Sequence, residues 1–299
     1  MSGSFTVDAL SIFAPAKLNL YLAVTGRRAD GFHDLVSVVS QTDFGDTLRI
    51  EPAAGFSLTC DDPAVPADES NLVLKAARAF AAATGWRGGA KFALTKRIPA
   101  GAGLGGGSSD AVAALRGLNQ LAGEPLGAGE LERLAAQLGS DCPLFLQAGP
   151  VVLRGRGERI AALPVAAARR LTGRRVLVFK PDFGIATPWA YARLAAAAPA
   201  SYRPAAEAET RLAAWIAEVQ APAEKLLFNN MEPPAFAKFL ALPALLAELR
   251  VTFGLQPRMS GSGSACFALL GADTDAVPIV AAVRAAWGGS AFVTEARLT

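Results

Sequence analysis

The stretch IPAGAGLGGGSSDAVAALRGL, Ile98 to Leu118, places five glycines among the seven residues from Gly101 to Gly107 and then turns into an amphipathic run. Bare backbone lets N–H groups approach an anion closely, and a helix N-terminus adds unpaired N–H groups and a positive dipole end. Such a loop is suited to cradling the phosphates of a nucleotide. Gly101, Gly103 and Gly106 also satisfy G-x-G-x-x-G. The segment before them alternates (Lys91, Phe92, Ala93, Leu94), Pro99 intervenes, and another helix follows Ala122, so the strand and terminal acid of a dinucleotide site are missing. A Walker loop requires lysine after its last glycine, where Ser108 stands. A flexible linker would not end in Ser108, Ser109 and Asp110, which favour a helix start and lead into Ala111, Val112, Leu115 and Leu118.

Two further segments carry groups able to act on a phosphate or hydroxyl. In APAKLNLYLAV a period of two puts Leu18, Leu20, Leu22 and Val24 on one strand face and Lys17, Asn19 and Tyr21 on the other. A lysine beside an amide suits a phosphate or a sugar hydroxyl; a solvent-facing lysine is the ordinary alternative. In LGSDCPLF, Asp141 follows a helix-ending glycine and precedes Pro143, where it can supply chemistry, cap a short helix, or do both. His33, in ADGFHDL, is the single histidine and has Phe32 beside it. With no G-x-S-x-G elbow a Ser-His-Asp hydrolase is hard to build, since the single histidine would have to be its base, and the same count excludes a His-based zinc site.

These residues need a sizeable fold to position them. At 299 residues, 52% of them hydrophobic and 18% charged, the chain can bury the cores of two ordinary domains. Short runs at 16–24, 35–41, 47–51, 56–60 and 91–96 predict strands. Helical spacing over 71–83, 109–122 and 130–138 predicts helices, with Gly139 ending the third. After the turn-rich RGRGERIAALPVAAARRLTGRR, a strand at 176–179 opens a second half with several helices, then strand, helix and strand at 266–270, 274–287 and 291–296. The expected domains are 1–160 and 161–299, with the boundary between 155 and 174. A net charge of +3 and scattered arginine pairs do not point to nucleic acid. Cys60, Cys142 and Cys266 are widely spaced with no C-x-x-C, which suits a reducing cytoplasm better than a disulfide framework or zinc knuckle. The start lacks a basic end followed by a long apolar core, and no run approaches the ~20 apolar residues of a membrane span. A soluble, unprocessed protein is expected, either a monomer or a weak homodimer, with no membrane or nucleic-acid partner.

Three segments then carry a resemblance. PAKLNLYLAVTGRRADGFHDL, KRIPAGAGLGGGSSDAVAALRGLN and RMSGSGSACFAL occur in the order and approximate spacing of the motifs of the GHMP small-molecule kinases, and the likeness runs from about Ala14 to Val293. The first two resemble in particular the branch that phosphorylates a methylerythritol carrying a cytidine diphosphate, in the non-mevalonate route to isoprenoid precursors. Homoserine and mevalonate kinases share the glycine loop but not AKLNL joined to GRRADGFH. The resemblance implies an α+β fold, with an N-terminal domain like domain 2 of ribosomal protein S5 and a ferredoxin-like C-terminal domain. It implies ATP with Mg2+ as cofactors and transfer to a tertiary hydroxyl of a small-molecule substrate. Asp141 and Lys17 match the catalytic aspartate and lysine. Pro99, Ala100, Gly101, Ala102, Gly103, Leu104, Gly105, Gly106, Gly107, Ser108 and Ser109 match the ATP phosphate loop. Asn71 and Lys96 match positions near the adenine, and Asn19 a substrate contact. Phe32 and Tyr191, the latter in GIATPWAY, match an aromatic pair that sandwiches cytosine, with His33 bonding its edge. The metal ligands stay open, Ser109 being one candidate. Another GHMP kinase of homoserine or mevalonate type is the nearest alternative. An RNA-binding S5-like protein would need aromatics interleaved with a dense basic face, and a dinucleotide-dependent oxidoreductase lacks its strand and acid.

Overall fold

The computed structural model describes residues 9–299. Strands β1 (Leu10–Arg27), β2 (His33–Ala53) and β3 (Ser57–Cys60) come first, followed by helix α1 (Leu72–Thr84) and strand β4 (Gly89–Thr95). Helices α2 (Gly106–Leu121) and α3 (Ala128–Leu138), a 3-10 turn at Cys142–Leu146 and a hairpin of β5 (Val151–Gly155) and β6 (Arg159–Ala162) complete the first half. The second half runs α4 (Val165–Ala168), β7 (Arg175–Lys180), α5 (Thr187–Ala196), α6 (Ala205–Ala217), β8 (Phe228–Asn229) and α7 (Glu232–Phe236). It ends with α8 (Ala241–Phe253), β9 (Arg258–Met259), β10 (Cys266–Leu269), α9 (Val277–Trp287) and β11 (Phe292–Arg297).

Contacts divide the chain into two compact units, which are not consecutive segments. One holds the chain up to Ala16, Phe44–Ala100 and Gly105–Leu146; the other holds Lys17–Asp43, Gly101–Leu104 and Gln147–Thr299. The division follows from β1 and β2, of 18 and 21 residues, each of which gives one end to either unit. The two short runs read from sequence at 35–41 and 47–51 are one strand. Its polar middle stays extended because Asp46 is buried with partners, its Oδ1 accepting the backbone N–H of Ile98 at 2.8 Å. The turn-rich segment after Gly155 also contains more order than its composition suggests. Gly155 and Gly157, at φ +67° and +109°, make the tight connection that lets β6 pair antiparallel with β5.

In the first unit, β2 pairs antiparallel with β4, and β4 parallel with β3. The helical spacing read from sequence is borne out in α2, where Ala111, Val112, Leu115 and Leu118 are buried, and α1 packs on it with Val73, Leu74, Ala77 and Phe80 buried. Asn71 caps α1, its Oδ1 accepting Val73 N–H at 2.9 Å, and Gly85 ends it in the left-handed conformation. In the second unit, β2 pairs with β5, and Tyr21 and Leu22 of β1 lie parallel to Phe228 and Asn229 of β8. A separate antiparallel sheet of order β11-β7-β10-β9 shares a core with α8 and α9, in which Leu177, Phe179, Cys266, Leu246, Leu249 and Val283 are buried. Both faces of β1 are buried from Ala16 to Val24. Leu18, Leu20 and Val24 lie on one, and Lys17, Asn19 and Tyr21 on the other are no more than 6% exposed, so the face read as non-core is also an interior one.

Glycines mark the closest approaches. A Cβ on Gly45 would stand 2.3 Å from the carbonyl oxygen of Ala14 and 2.7 Å from Cα of Pro15, so bare backbone lets β2 pass the proline in β1. Gly129, inside α3, faces open space. Gly45→Ala is therefore expected to destabilise by about 1–3 kcal/mol or more, and Gly129→Ala to stabilise by about 0.5–1 kcal/mol. Urea unfolding of both variants beside the parent checks the pair; equal midpoints for all three would contradict it.

Candidate active site

In the second unit, the first half of the glycine loop is held by backbone. Lys17 N–H donates to the Leu104 carbonyl at 2.9 Å, Ala265 N–H to the Ala102 carbonyl at 3.1 Å, and Ser260 Oγ to the Gly103 carbonyl at 3.1 Å. Gly103 has φ +76°, and a Cβ there would lie 2.4 Å from the Ser260 carbonyl oxygen. A Cβ on Gly261 would lie 3.3 Å from Asn19 Oδ1 and 3.5 Å from Lys17 Nζ. Residues far apart in sequence, at 17–19, 101–104 and 260–265, thus meet in one place. Lys17 Nζ donates to Asn19 Oδ1 at 2.6 Å, and Asn19 Nδ2 donates to Ser37 Oγ at 3.0 Å. Ser37 passes its own proton to the Tyr21 carbonyl at 2.6 Å. That chain fixes which way the amide faces and so where the buried ammonium is held. Ser37 and Ser260 were not singled out in the sequence; only strand pairing and the third motif's turn bring them here.

The first unit holds the rest of the loop. Helix α2 begins at Gly106, two residues before the serines that looked like its cap. Its N-cap is Gly105 at φ +75°, with no side-chain cap bond, which leaves first-turn N–H groups for an anion. Ser109 Oγ is buried there without a partner. Asp141 precedes the Cys142–Leu146 turn. Burial pushes the Cys142 thiol up to about 11, against a bond from Ser108, and this contact ties the turn to the loop's end. Asn71 and Lys96, matched to the adenine, both have structural partners. Asn71 caps α1 and donates to the Pro66 carbonyl at 2.7 Å, while the Lys96 ammonium lies between the carboxylates of Asp46 and Asp110.

A third constellation lies within the second unit, on the β1–β2 connection. Gly31 at φ +85° turns the chain, Arg28 pairs with Asp30 and Asp34 at 3.1 Å each, and Asp30 accepts Phe32 N–H at 3.1 Å. The Phe32 ring is half exposed, with the Arg156 guanidinium 4.9 Å from its centroid. His33 packs on Tyr191, centroids 4.8 Å apart, and its Nε2 lies 3.1 Å from the Tyr202 hydroxyl. Burial, with Arg27 nearby, holds His33 below the ordinary imidazole range, so the ring is neutral at pH 7 with one donor and one acceptor. Tyr202 went unnoticed in the sequence because no local pattern links it to a residue 169 positions earlier.

The second unit thus holds a positioned lysine and a histidine among aromatic rings, and in the first the helix N-terminus after the glycines leaves backbone N–H groups open to an anion. The models of the GHMP kinases N terminal domain and C terminal domain match residues 71–149 and 215–289. A 4-diphosphocytidyl-2-C-methyl-D-erythritol kinase of Synechococcus sp. (strain CC9902) is 40% identical, over 88% of this chain and 88% of that protein. The chain belongs to the 4-diphosphocytidyl-2-C-methyl-D-erythritol kinase family. A crystal structure of 4-(cytidine 5'-diphospho)-2C-methyl-D-erythritol kinase superposes with a TM-score of 0.77 at 35% identity, covering 96% of this chain and 99% of that one. Homoserine kinase from Cytophaga hutchinsonii, with a TM-score of 0.76 at 19% identity over 100% of this chain and 97% of its own, shares the fold. The α+β class read from the sequence holds, and membership in this kinase family makes the chain an ATP-dependent phosphotransferase. No helix among the described residues is long and apolar enough to cross a membrane.

The two halves of the loop should tolerate side chains differently. At Gly103 an added Cβ meets backbone at 2.4 Å and the φ is left-handed, whereas at Gly106 the nearest atoms are the side chains of Ile98 and Lys96 at 3.1 and 3.2 Å, which need give only a few tenths of an ångström. Gly103→Ala is expected to weaken ATP binding by about 100-fold, the scale of an ångström's misplacement. Gly106→Ala should weaken it less. Calorimetric titration with ATP checks the order, and an affinity unchanged by Gly103→Ala would remove the loop's first half from the site.

Proposed function

We propose that the chain transfers the γ-phosphoryl of ATP to the 2-hydroxyl of 4-diphosphocytidyl-2-C-methyl-D-erythritol, a step toward isoprenoid precursors by the non-mevalonate route. Identity of 40% to a kinase of that name over 88% of both chains is the observation that carries the reading. The neutral, hydrogen-bonded His33 against Tyr191 supports a base-recognising end. Three thiols without disulfide partners suit a reducing cytoplasm.

In this reading the loop N–H groups hold the triphosphate, and catalysis rests on positioning and charge stabilisation. Asp141 orients the attacking hydroxyl and accepts its proton as the oxygen–phosphorus bond forms and the bond to the ADP oxygen breaks. Lys17, steered by Asn19, offsets negative charge on the group in transfer. Ser109 Oγ, buried and unpaired in the first turn of α2, fits a protein ligand for Mg2+ carried by the phosphates, and that ion would neutralise phosphate charge. At the other end, Phe32 and Tyr191 offer stacking surfaces, and His33, its Nε2 engaged by the Tyr202 hydroxyl, turns Nδ1 to the base edge to distinguish cytosine from uracil.

A coupled ADP-release assay with the cytidine diphosphate substrate, run beside homoserine and mevalonate, tests the assignment; turnover with either of the last two and none with the first would reject it. Asp141→Asn should lower kcat by roughly 10²- to 10⁴-fold with KM changed little. Phe32→Ala should raise KM for the cytidine substrate and spare ATP, and His33→Ala should narrow the preference for cytidine over uridine. Because His33 is held below its ordinary value, affinity for the cytidine substrate should be level above about pH 6.5 and fall as the pH drops through the depressed His33 pKa. A KM for that substrate that is flat down to pH 5 would exclude His33 from base recognition.

A further inference from the structure

Three ionisable side chains that the transfer chemistry leaves unused lie in the first unit where the glycine loop runs into α2. Lys96 Nζ donates to Asp110 Oδ2 at 2.9 Å and, more closely still, to Asp46 Oδ2. The side chains of Lys96, Asp46 and Asp110 are 8%, 0% and 4% exposed. Asp46 turns its other oxygen to the backbone N–H groups of Arg97 and Ile98, just before the loop. Asp110 belongs to α2, just after it. A Cβ on Gly106 would come within 3.2 Å of Lys96 Nζ and 3.1 Å of an Ile98 methyl, so the ammonium lies directly under the loop's last turn.

This arrangement is costly to bury. Two carboxylates share one ammonium, and breaking such a group leaves an uncompensated charge, so stability alone gives little reason to keep it. For Lys96, burial works against the charged form, but Asp110 and Asp46 outweigh it and raise its pKa, so the ammonium persists. What the triad does is geometric: it fastens the chain before the loop and the helix after it to the same buried point.

We propose that Asp46, Lys96 and Asp110 form a clamp that sets the phosphate-binding shape of the glycine loop, with Lys96 a positioning residue that acts on ATP through Gly106 and α2 and not by touching the adenine. The proposal rests on the reading of the loop as the triphosphate site. A positioning clamp and an adenine contact make different demands. Loss of an adenine contact changes the preference for ATP over GTP, whereas a misshapen loop weakens both nucleotides alike. Neither nucleotide effect should reach the cytidine substrate.

The test uses the full chain with Asp110→Asn, which keeps the shape of the side chain and leaves Lys96 paired with Asp46, and with Lys96→Met. Circular dichroism melting checks that each folds, and Asp46→Asn replaces Lys96→Met if the latter does not. Expected are a KM for ATP raised by roughly 10- to 100-fold, an unchanged ATP-to-GTP preference, and an unchanged KM for the cytidine substrate. An unchanged KM for ATP in the folded variants overturns the clamp. A shifted ATP-to-GTP preference overturns it in favour of an adenine contact, and an equal rise in both substrates' KM overturns it in favour of a general structural role. Gly103→Ala separates the two levels of inference. If it too leaves ATP affinity intact, the triphosphate reading has failed; if it alone weakens ATP, only the clamp has.

Discussion

At Gly103 the carbonyl of Ser260 occupies the space where any other residue would carry its Cβ, and the loop's first half depends on that approach. Backbone docked on backbone is rigid without side-chain entropy to lose, and it keeps N–H groups near the surface of the loop for a ligand. The same contact explains why the third motif matters although it supplies no reacting group: its turn is the surface against which the loop is moulded. Ser260 serves both sides, giving its hydroxyl proton to the Gly103 carbonyl and accepting Asn19 N–H at 3.3 Å.

Placing a lysine inside a strand buried on both faces requires an answer for each polar atom. Asn19 provides it by standing two residues away on the same face, where the strand's period makes the pair neighbours, and Ser37 holds the far end of the amide. The result is an ammonium with a fixed direction. A surface lysine would have kept its rotamers and had no fixed direction.

Much of this was legible in the residues. Periodicity alone put Lys17 with Asn19, and glycine spacing put a loop before a helix, because both signals are local. The helix start was misplaced by three residues, since Gly105 in the left-handed region ends the loop where serines at 108 and 109 advertised a cap. A solvent-facing Lys17 stayed an alternative because alternation shows that two faces differ, not that one is wet. Asp46 looked like part of a turn between two strands. Its role was invisible for want of any sequence signal joining it to Lys96, 50 residues later. Tyr202 was hidden for the same reason: tertiary contacts leave no period.

The short pairing of β8 with β1 has a consequence for how the molecule is made. Tyr21 and Leu22 leave the ribosome roughly 200 residues before Phe228 and Asn229, their partners. At synthesis rates of about 5–20 residues per second, that edge of β1 waits on the order of 10 to 40 s for its neighbour. Lys17, Asn19 and the strand that carries them spend this interval without the C-terminal segments that belong to their unit. The nascent chain therefore has a window in which a strand edge stands open to wrong partners, which the later pairing with Phe228 and Asn229 closes.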